Sequence, residues 1–445
     1  MYVFTALTIS AFFAVLIMVP QPYMDEIFHV PQAMHYLDGN FSTYDPKITT
    51  PPGLYFSSLL CAVLPPFNPV MLRGVNIVFG LMTYHCLRNF FQSDFQASIG
   101  SMLPFMWFFN HLFYTDSGAT FFSLFAVYNS LHSNNFKSGL MCIPGLLFRQ
   151  TNLIWTFYAA SIIVVSSLKK FSFSSDESLK PFFEPASSFL EELSFRSFLS
   201  VGKNLLKTCL CFQFIKNVIV NCSLHLLCLI AFMTFVFWNG SVALGDKENH
   251  AVTVHLAQIP YFFLFVFLFS PFRFLPTYHQ LTKLLNRKML VAFSLLLPLV
   301  YWCVHYHADP HPFLLADNRH FTFYLWKKLL NRNQETKLAL VPCYSACVIL
   351  VVRKLAKTLN IIQLICLLAS IFIVLSATPL FEFRYFIVPS LLVYVSCKPE
   401  PSLEKMQSFF DLTLYAVVNG LTMYLFLYCP FKWPSEPGKL QRFMW

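Results

Sequence analysis

The chain is expected to be an all-α polytopic membrane protein with about 12 to 14 transmembrane helices. Three observations predict that class. Of its 445 residues, 56% are hydrophobic and 12% charged, with a mean hydropathy of +0.57, whereas a soluble domain carries about 25% charged residues. Aromatic residues make up 18%, with 53 Phe, as suits lipid-facing surfaces and interfacial rings. The apolar runs are continuous rather than alternating, which selects helices over a membrane β-barrel.

Taken in order, the expected spans are residues 2–19, 72–90, 99–113, 119–131, 140–148, 153–168, 209–238, 251–269, 290–305, 338–352, 361–377, 385–397 and 412–429. Several are shorter than the roughly 20 residues a span needs, and 209–238 is long enough to tilt or kink. Residues 1–20 lack a basic leader and a small-residue cleavage site, so they read as a retained first helix. The whole chain, 1–445, reads as one transmembrane domain.

Charge fixes the orientation. The net charge of +10 comes from short basic clusters at the ends of apolar runs: Lys169-Lys170, Lys203 and Lys207, Arg273, Lys283 to Lys288, and Arg353-Lys354. That is the positive-inside pattern, not a nucleic-acid patch, and it excludes nucleic acid as a partner. With the N-terminus cytosolic, the loops 21–52, 239–250, 309–320 and 378–384 fall on the opposite, lumenal side. Lys327, Lys328 and Arg332 conflict with this unless 321–330 is re-entrant or interfacial. Two glycosylation sequons, at Asn40 and Asn239, also lie on that side. The stretch 169–207 is a cytosolic insertion. The thirteen cysteines sit mostly in apolar runs and form no Cys-x-x-Cys set, so neither a zinc site nor a disulfide framework is indicated.

The first lumenal loop, 21–66, carries Tyr23-Met24-Asp25-Glu26-Ile27-Phe28-His29 directly after the opening span. Adjacent carboxylates at a membrane surface must be solvated or used. Pro31 is expected at the first position of a short helix that runs through Leu37 and stops at Asp38-Gly39-Asn40, with Gly39 as its C-terminal cap. If helical geometry extends back through Val30, then Asp25, His29, Gln32 and Tyr36 share one face. A second element, 54–63, is too short to span and reads as interfacial, so the loop holds Asp25, Glu26 and Asp45 near the headgroups. The plain alternative is a solvated turn with capping carboxylates.

Other polar clusters fall on the same side. His311 to His320 includes Asp317, Arg319 and His320 and is the densest of them. Metal ligation is disfavoured there because no His-x-x-x-His pair has carboxylate support. Arginine instead suits a bidentate phosphate contact. Glu382 and Arg384 bracket a ring and read first as an ion pair. Arg149-Gln150-Thr151-Asn152 interrupts an apolar region and reads as a helix–helix turn or a cavity wall, with Asp116 a weaker candidate. Asp246 to His250 reads as a solvated loop.

These segments together resemble the endoplasmic-reticulum glucosyltransferases that use dolichyl phosphate glucose to add the terminal α-1,2-linked glucose to the lipid-linked N-glycan precursor. The matching runs are 23–32, 45–55 (Asp-Pro-x-Ile-Thr-Thr-x-Pro-Gly-x-Tyr), 148–152, 238–245, 311–326, 382–389 and 441–445. The resemblance implies a GT-C type fold with lumenal interfacial helices, an endoplasmic-reticulum membrane location, dolichol-linked donor and acceptor, and no nucleotide-sugar site; the displacement it suggests is expected to need no cofactor or metal. It carries Asp25 as the base with Glu26 beside it, and leaves Asp25, Glu26 and Asp45 unresolved. His29, Asp45, Arg149, His311, Asp317, Arg319, His320, Glu382 and Arg384 are then expected to contact substrate. A transporter would place ionisable residues mid-bilayer in repeated halves; here the acids sit mainly at helix ends and no repeat is present. A non-catalytic regulator of a membrane complex is the remaining alternative.

Overall fold

The computed structural model describes residues 1–61, 69–173, 182–188, 203, 206–248, 253–276, 287–308, 311–378, 380–397, 399–400, 402–434 and 436–445. Most of the expected insertion, the Pro65-Pro66 end of the interfacial segment and residues 249–250 of the Asp246 loop lie outside the described residues.

Among the described residues the regular secondary structure is helical apart from one two-stranded hairpin, Phe431–Lys432 against Leu440–Gln441, and two isolated bridges. It is an all-α membrane protein. Five helices among the described residues are long and apolar enough to cross a bilayer: Val70–Phe91, Asn152–Phe171, Arg287–Tyr306, Gln334–Ala356 and Glu404–Tyr428. Four shorter apolar helices accompany them: Tyr2–Met18, Gln258–Phe269, Ile361–Ser376 and Phe383–Ser396. The long apolar run 209–238 is kinked, as its length implied: Phe212–Asn221 and Ser223–Asn239 meet at 72°.

Three elements depart from the sequence reading for physical reasons. The expected span 99–113 is two short helices, Asp94–Ser101 and Pro104–Phe109. Pro104 has no N–H to continue the first helix and starts the second, where none is needed. The last long helix starts at Glu404, eight residues before the expected 412, because its polar first turns find partners. Gln407 Nε2 donates to the Phe272 carbonyl at 2.7 Å, and Asp411 pairs with buried Arg273 at 3.2 Å. Hydropathy alone cannot see such compensation. Finally, Pro31 lies inside a helix, not at its start: Glu26–Leu37 is continuous, with Asp25 as N-cap. The expected end is correct, since Gly39 takes φ +77° and Asn40 N–H donates to the His35 carbonyl at 2.8 Å, closing the helix in a left-handed cap.

Two long-range clamps position the site. Backbone N–H groups of Leu244, Gly245 and Asp246 donate to the carbonyls of Thr49, Ile48 and Pro46 at 2.9 to 3.0 Å. A Cβ at Gly245 would lie 2.3 Å from the Pro46 oxygen, so only glycine permits this approach. At the chain end, Arg442 donates to the carbonyls of Met18, Phe426 and Leu427, and Tyr23 Oη donates to the Arg442 carbonyl at 2.6 Å. The C-terminal segment is thereby tied to the exit of the first helix.

Candidate active site

The turn 23–26 sends its two carboxylates in different directions. Tyr23 N–H donates to Glu26 Oε2 at 2.9 Å, and Met24 between them is held at φ +55°, uncommon for a side chain of its size. Glu26 then points inward and is fully buried. Its two oxygens accept from Arg73 Nε (2.8 Å), Arg73 Nη2 (2.6 Å), Phe113 N–H (2.6 Å) and Tyr23 N–H. Arg73, 1% exposed, also donates to the Val19 and Gln21 carbonyls. A carboxylate so saturated has no lone pair directed at a substrate. Glu26 thus fastens the turn and does not line the cavity.

Asp25 points the other way. Its side chain is 38% exposed and lines a cavity of about 630 Å³, within the roughly 300–1,000 Å³ range of small-molecule sites. Its Oδ2 accepts from Arg384 Nη1 at 2.8 Å, and its backbone N–H donates to Tyr114 Oη at 3.1 Å. Burial alone would raise the Asp25 carboxyl, but the Arg384 guanidinium reverses this and holds it below the usual carboxylate range. Asp25 is therefore ionised at neutral pH. One turn on, His29 Nδ1 meets Tyr55 Oη at 2.7 Å, and burial pushes the imidazole down to about 4, so it is neutral.

The opposite wall comes from two distant segments. Arg384 also pairs with Glu382, and Arg149 pairs with Asp116 while stacking on the Tyr385 ring at 5.0 Å. Asp317 and Arg319 form a bidentate pair at 2.8 Å. Burial would raise the Asp317 carboxyl, yet Arg319 holds it below the ordinary value. The C-terminal segment fixes this pair. Gln441 Oε1 accepts from Arg319 Nη1 at 3.0 Å, the Trp433 ring covers the guanidinium at 4.9 Å, and His320 Nδ1 bonds the Trp445 carbonyl at 2.9 Å.

Of the expected site residues, Asp25, His29, Arg149, Asp317, Arg319, His320, Glu382 and Arg384 all line this one cavity, although they span 360 positions (25–384). Three do not. Glu26 is buried behind the turn. Asp45 accepts from Lys47 N–H at 2.8 Å and shapes its own loop. His311 accepts from Phe313 N–H at 3.2 Å and caps the short helix Pro312–Ala316. Sequence reading missed Lys47, Tyr385 and Trp433, which also line the cavity, and read Asp246 as solvated although it faces the same space. Only the position of Lys47, two residues after Asp45, hinted at a role.

Fold and site together define a multi-helix membrane protein whose helix ends enclose an acid- and arginine-lined chamber, with the half-buried Asp25 carboxylate held ionised at its wall. The chain belongs to the DIE2/ALG10 family, whose sequence model matches residues 19–395. It is 35% identical over 464 residues to a rat protein named Dol-P-Glc:Glc(2)Man(9)GlcNAc(2)-PP-Dol alpha-1,2-glucosyltransferase, covering 96% of this chain and 93% of the relative. Proteins of the same name from Arabidopsis thaliana and Drosophila melanogaster are 32% and 30% identical, covering 96% and 95% of this chain and 95% and 93% of the relatives. No solved structure matches.

Proposed function

We propose that this chain transfers the terminal glucose from dolichyl phosphate glucose to the diglucosylated, high-mannose dolichyl-diphosphate-linked oligosaccharide, in α-1,2 linkage. The observation that carries this reading is Asp25: a carboxylate held ionised by Arg384 and open to a cavity, in a chain similar over its length to glucosyltransferases of that name.

The Asp25 carboxylate takes the proton of the acceptor hydroxyl as its oxygen attacks the anomeric carbon. The bond to the donor phosphate breaks, and dolichyl phosphate leaves with the electron pair. A single displacement inverts a β-linked donor to an α-linked product. Glycosidase logic applies with one member absent, since phosphate departs without a strong general acid. An ionised carboxylate becomes an effective base as the sugar hydroxyl acidifies late in the transition state. Arg384 keeps Asp25 ionised and oriented, and Glu382 and Asp116 hold Arg384 and Arg149 at the opposite wall. Arg319 and Arg149 offer their remaining donors to sugar hydroxyls or phosphate, and His29 and His320 to sugar hydroxyls. The scheme asks for no cofactor or metal.

The reaction is placed at the lumenal face of the endoplasmic-reticulum membrane, which fits the basic clusters on the other side of the apolar runs. The five long helices, the kinked pair and the four short apolar helices amount to ten spans if all cross. The proposed count of 12 to 14 is reached if Asp116–Leu131 and Asn135–Phe148 also cross, with Asp94–Ser101 and Pro104–Phe109 as one further broken span. In cells lacking the protein, lipid-linked oligosaccharides should accumulate one glucose short of completion. Re-expressed wild type should restore the full glycan and Asp25→Asn should not; a normal precursor profile in its absence would refute the assignment.

A further inference from the structure

The cavity lining holds more neutralised charge than its residue count implies. Arg149 is paired with Asp116, Arg319 with Asp317, and Arg384 with both Asp25 and Glu382. Each arginine there already answers a carboxylate, so none brings an uncompensated positive charge to an incoming anion. Lys47 is different. It is exposed and lines the same cavity, and among the described residues no carboxylate lies within ion-pair distance of its ammonium. Its contact is the Phe28 ring, with Nζ 5.3 Å from the centroid.

The backbone under Lys47 is built rather than loose. Asp45 accepts from Lys47 N–H at 2.8 Å, and Ile48 N–H donates to the Asp45 carbonyl at 3.0 Å, closing a tight turn. Asp45 N–H in turn donates to Gln32 Oε1 at 2.8 Å, on the helix that carries Asp25. The strand-like clamp at Leu244 to Asp246 holds the other side, and Gln150 Nε2 donates to the Thr49 carbonyl. A flexible ammonium with three free donors therefore stands on a fixed turn beside the catalytic helix. A compact, strongly hydrated point charge with rotatable donors suits a phosphate oxygen.

We propose that Lys47 is a further phosphate contact of this active site, bringing an unpaired positive charge to a lipid-linked phosphate ester alongside the remaining donors of Arg149 and Arg319, whose own charges are answered by carboxylates. This rests on the glucosyltransferase reading above. Two substrates there carry such a group: the donor monophosphate and the acceptor diphosphate. If Lys47 meets the donor, it also receives the charge that develops as dolichyl phosphate departs.

The test uses full-length purified protein with synthetic polyprenyl-linked donor and acceptor, comparing wild type, Lys47→Gln and Lys47→Arg. Loss of about 10- to 100-fold in kcat/KM is expected for Lys47→Gln, the scale of a charge-assisted contact to phosphate. Lys47→Arg should recover part of it. A loss seen when donor is varied at saturating acceptor assigns the donor phosphate; a loss confined to acceptor titration assigns the diphosphate. Either result supports the inference. Wild type that transfers glucose, with Lys47→Gln unchanged in both titrations, overturns it and leaves the glucosyltransferase reading intact. Wild type that transfers nothing defeats that reading instead. The Lys47 side chain is exposed and its turn is held by backbone contacts, so the variant retains the fold, which an unchanged melting temperature in detergent would verify.

Discussion

Removing the charge of Glu26 separates a scaffold carboxylate from the proposed catalytic one. Glu26→Gln keeps the side-chain volume but leaves the Arg73 guanidinium, 1% exposed, without its counter-charge. Breaking a buried pair from one side costs about 3–5 kcal/mol, a large share of a folded state worth about 5–15 kcal/mol. The melting temperature in detergent should therefore fall clearly below that of wild type. The second perturbation decides the role. In Glu26→Gln/Arg73→Gln no buried charge is left. The new amide at position 73 can donate to the Val19 carbonyl that Arg73 held, and the Gln21 carbonyl, on an exposed residue, can take water. What persists is one poorly satisfied N–H at Tyr23 or Phe113, worth about 1–3 kcal/mol. Stability should therefore recover in part, and glucose transfer with it, because Asp25 and Arg384 are untouched. The measurements are melting in detergent and kcat with purified protein. A double variant that regains stability yet transfers no glucose would mean that Glu26 itself takes the proton, and the assignment of Asp25 would be wrong.

Two further predictions follow from the same geometry. Because the Asp25 carboxyl is held below its ordinary value of about 3.9, the active ionised form persists above that depressed value and is lost only as pH falls through it. The acid limb of kcat/KM should lie below about pH 4, and Arg384→Gln should move that limb upward, since the largest influence opposing burial is then gone; an unmoved limb in a pH–rate profile would detach Arg384 from Asp25. Truncation after Lys439 removes Gln441 from Arg319, the Trp445 carbonyl from His320 and the Arg442 bonds to the first helix. It should abolish transfer and lower the melting temperature, whereas full activity would show that the C-terminal segment only covers the site.

Much of this was legible in the sequence because most of the helices announce themselves by apolar length. The kink in 209–238, the cap at Gly39 and the shared face of Asp25, His29, Gln32 and Tyr36 all follow from local rules that hold in the structure. Eight of the eleven candidate residues share one cavity because polar residues at apolar helix ends must cluster or face water. What was not legible depends on partners far along the chain. The burial of Glu26 rests on Arg73, 47 residues away, and on the Phe113 N–H. The early start of Glu404–Tyr428 rests on Arg273 and the Phe272 carbonyl. No window of local hydropathy contains either pair.

The adjacency of Asp25 and Glu26 acquires a physical reason from the turn that separates them. Consecutive residues entering a helix point in different directions, so one carboxylate can be spent inward while its neighbour stays open. Met24 at φ +55° turns the chain so that Tyr23 N–H reaches the Glu26 carboxylate, and the Arg73 pair closes it. Such strain persists only where surrounding contacts over-determine it, and here Glu26 accepts four hydrogen bonds to do so. The first helix exit, the Arg73–Phe91 helix and the Phe113 backbone all converge on that one carboxylate. Asp25 is thereby fixed at the cavity wall without its own oxygens being consumed, apart from the bond to Arg384 that keeps it ionised. The proposed base needs both a fixed position and a free lone pair: Glu26 spends its oxygens on fixing the turn, and Asp25, oriented by its one bond to Arg384, keeps its remaining lone pairs open. The Asp-Glu pair divides the two requirements between neighbours.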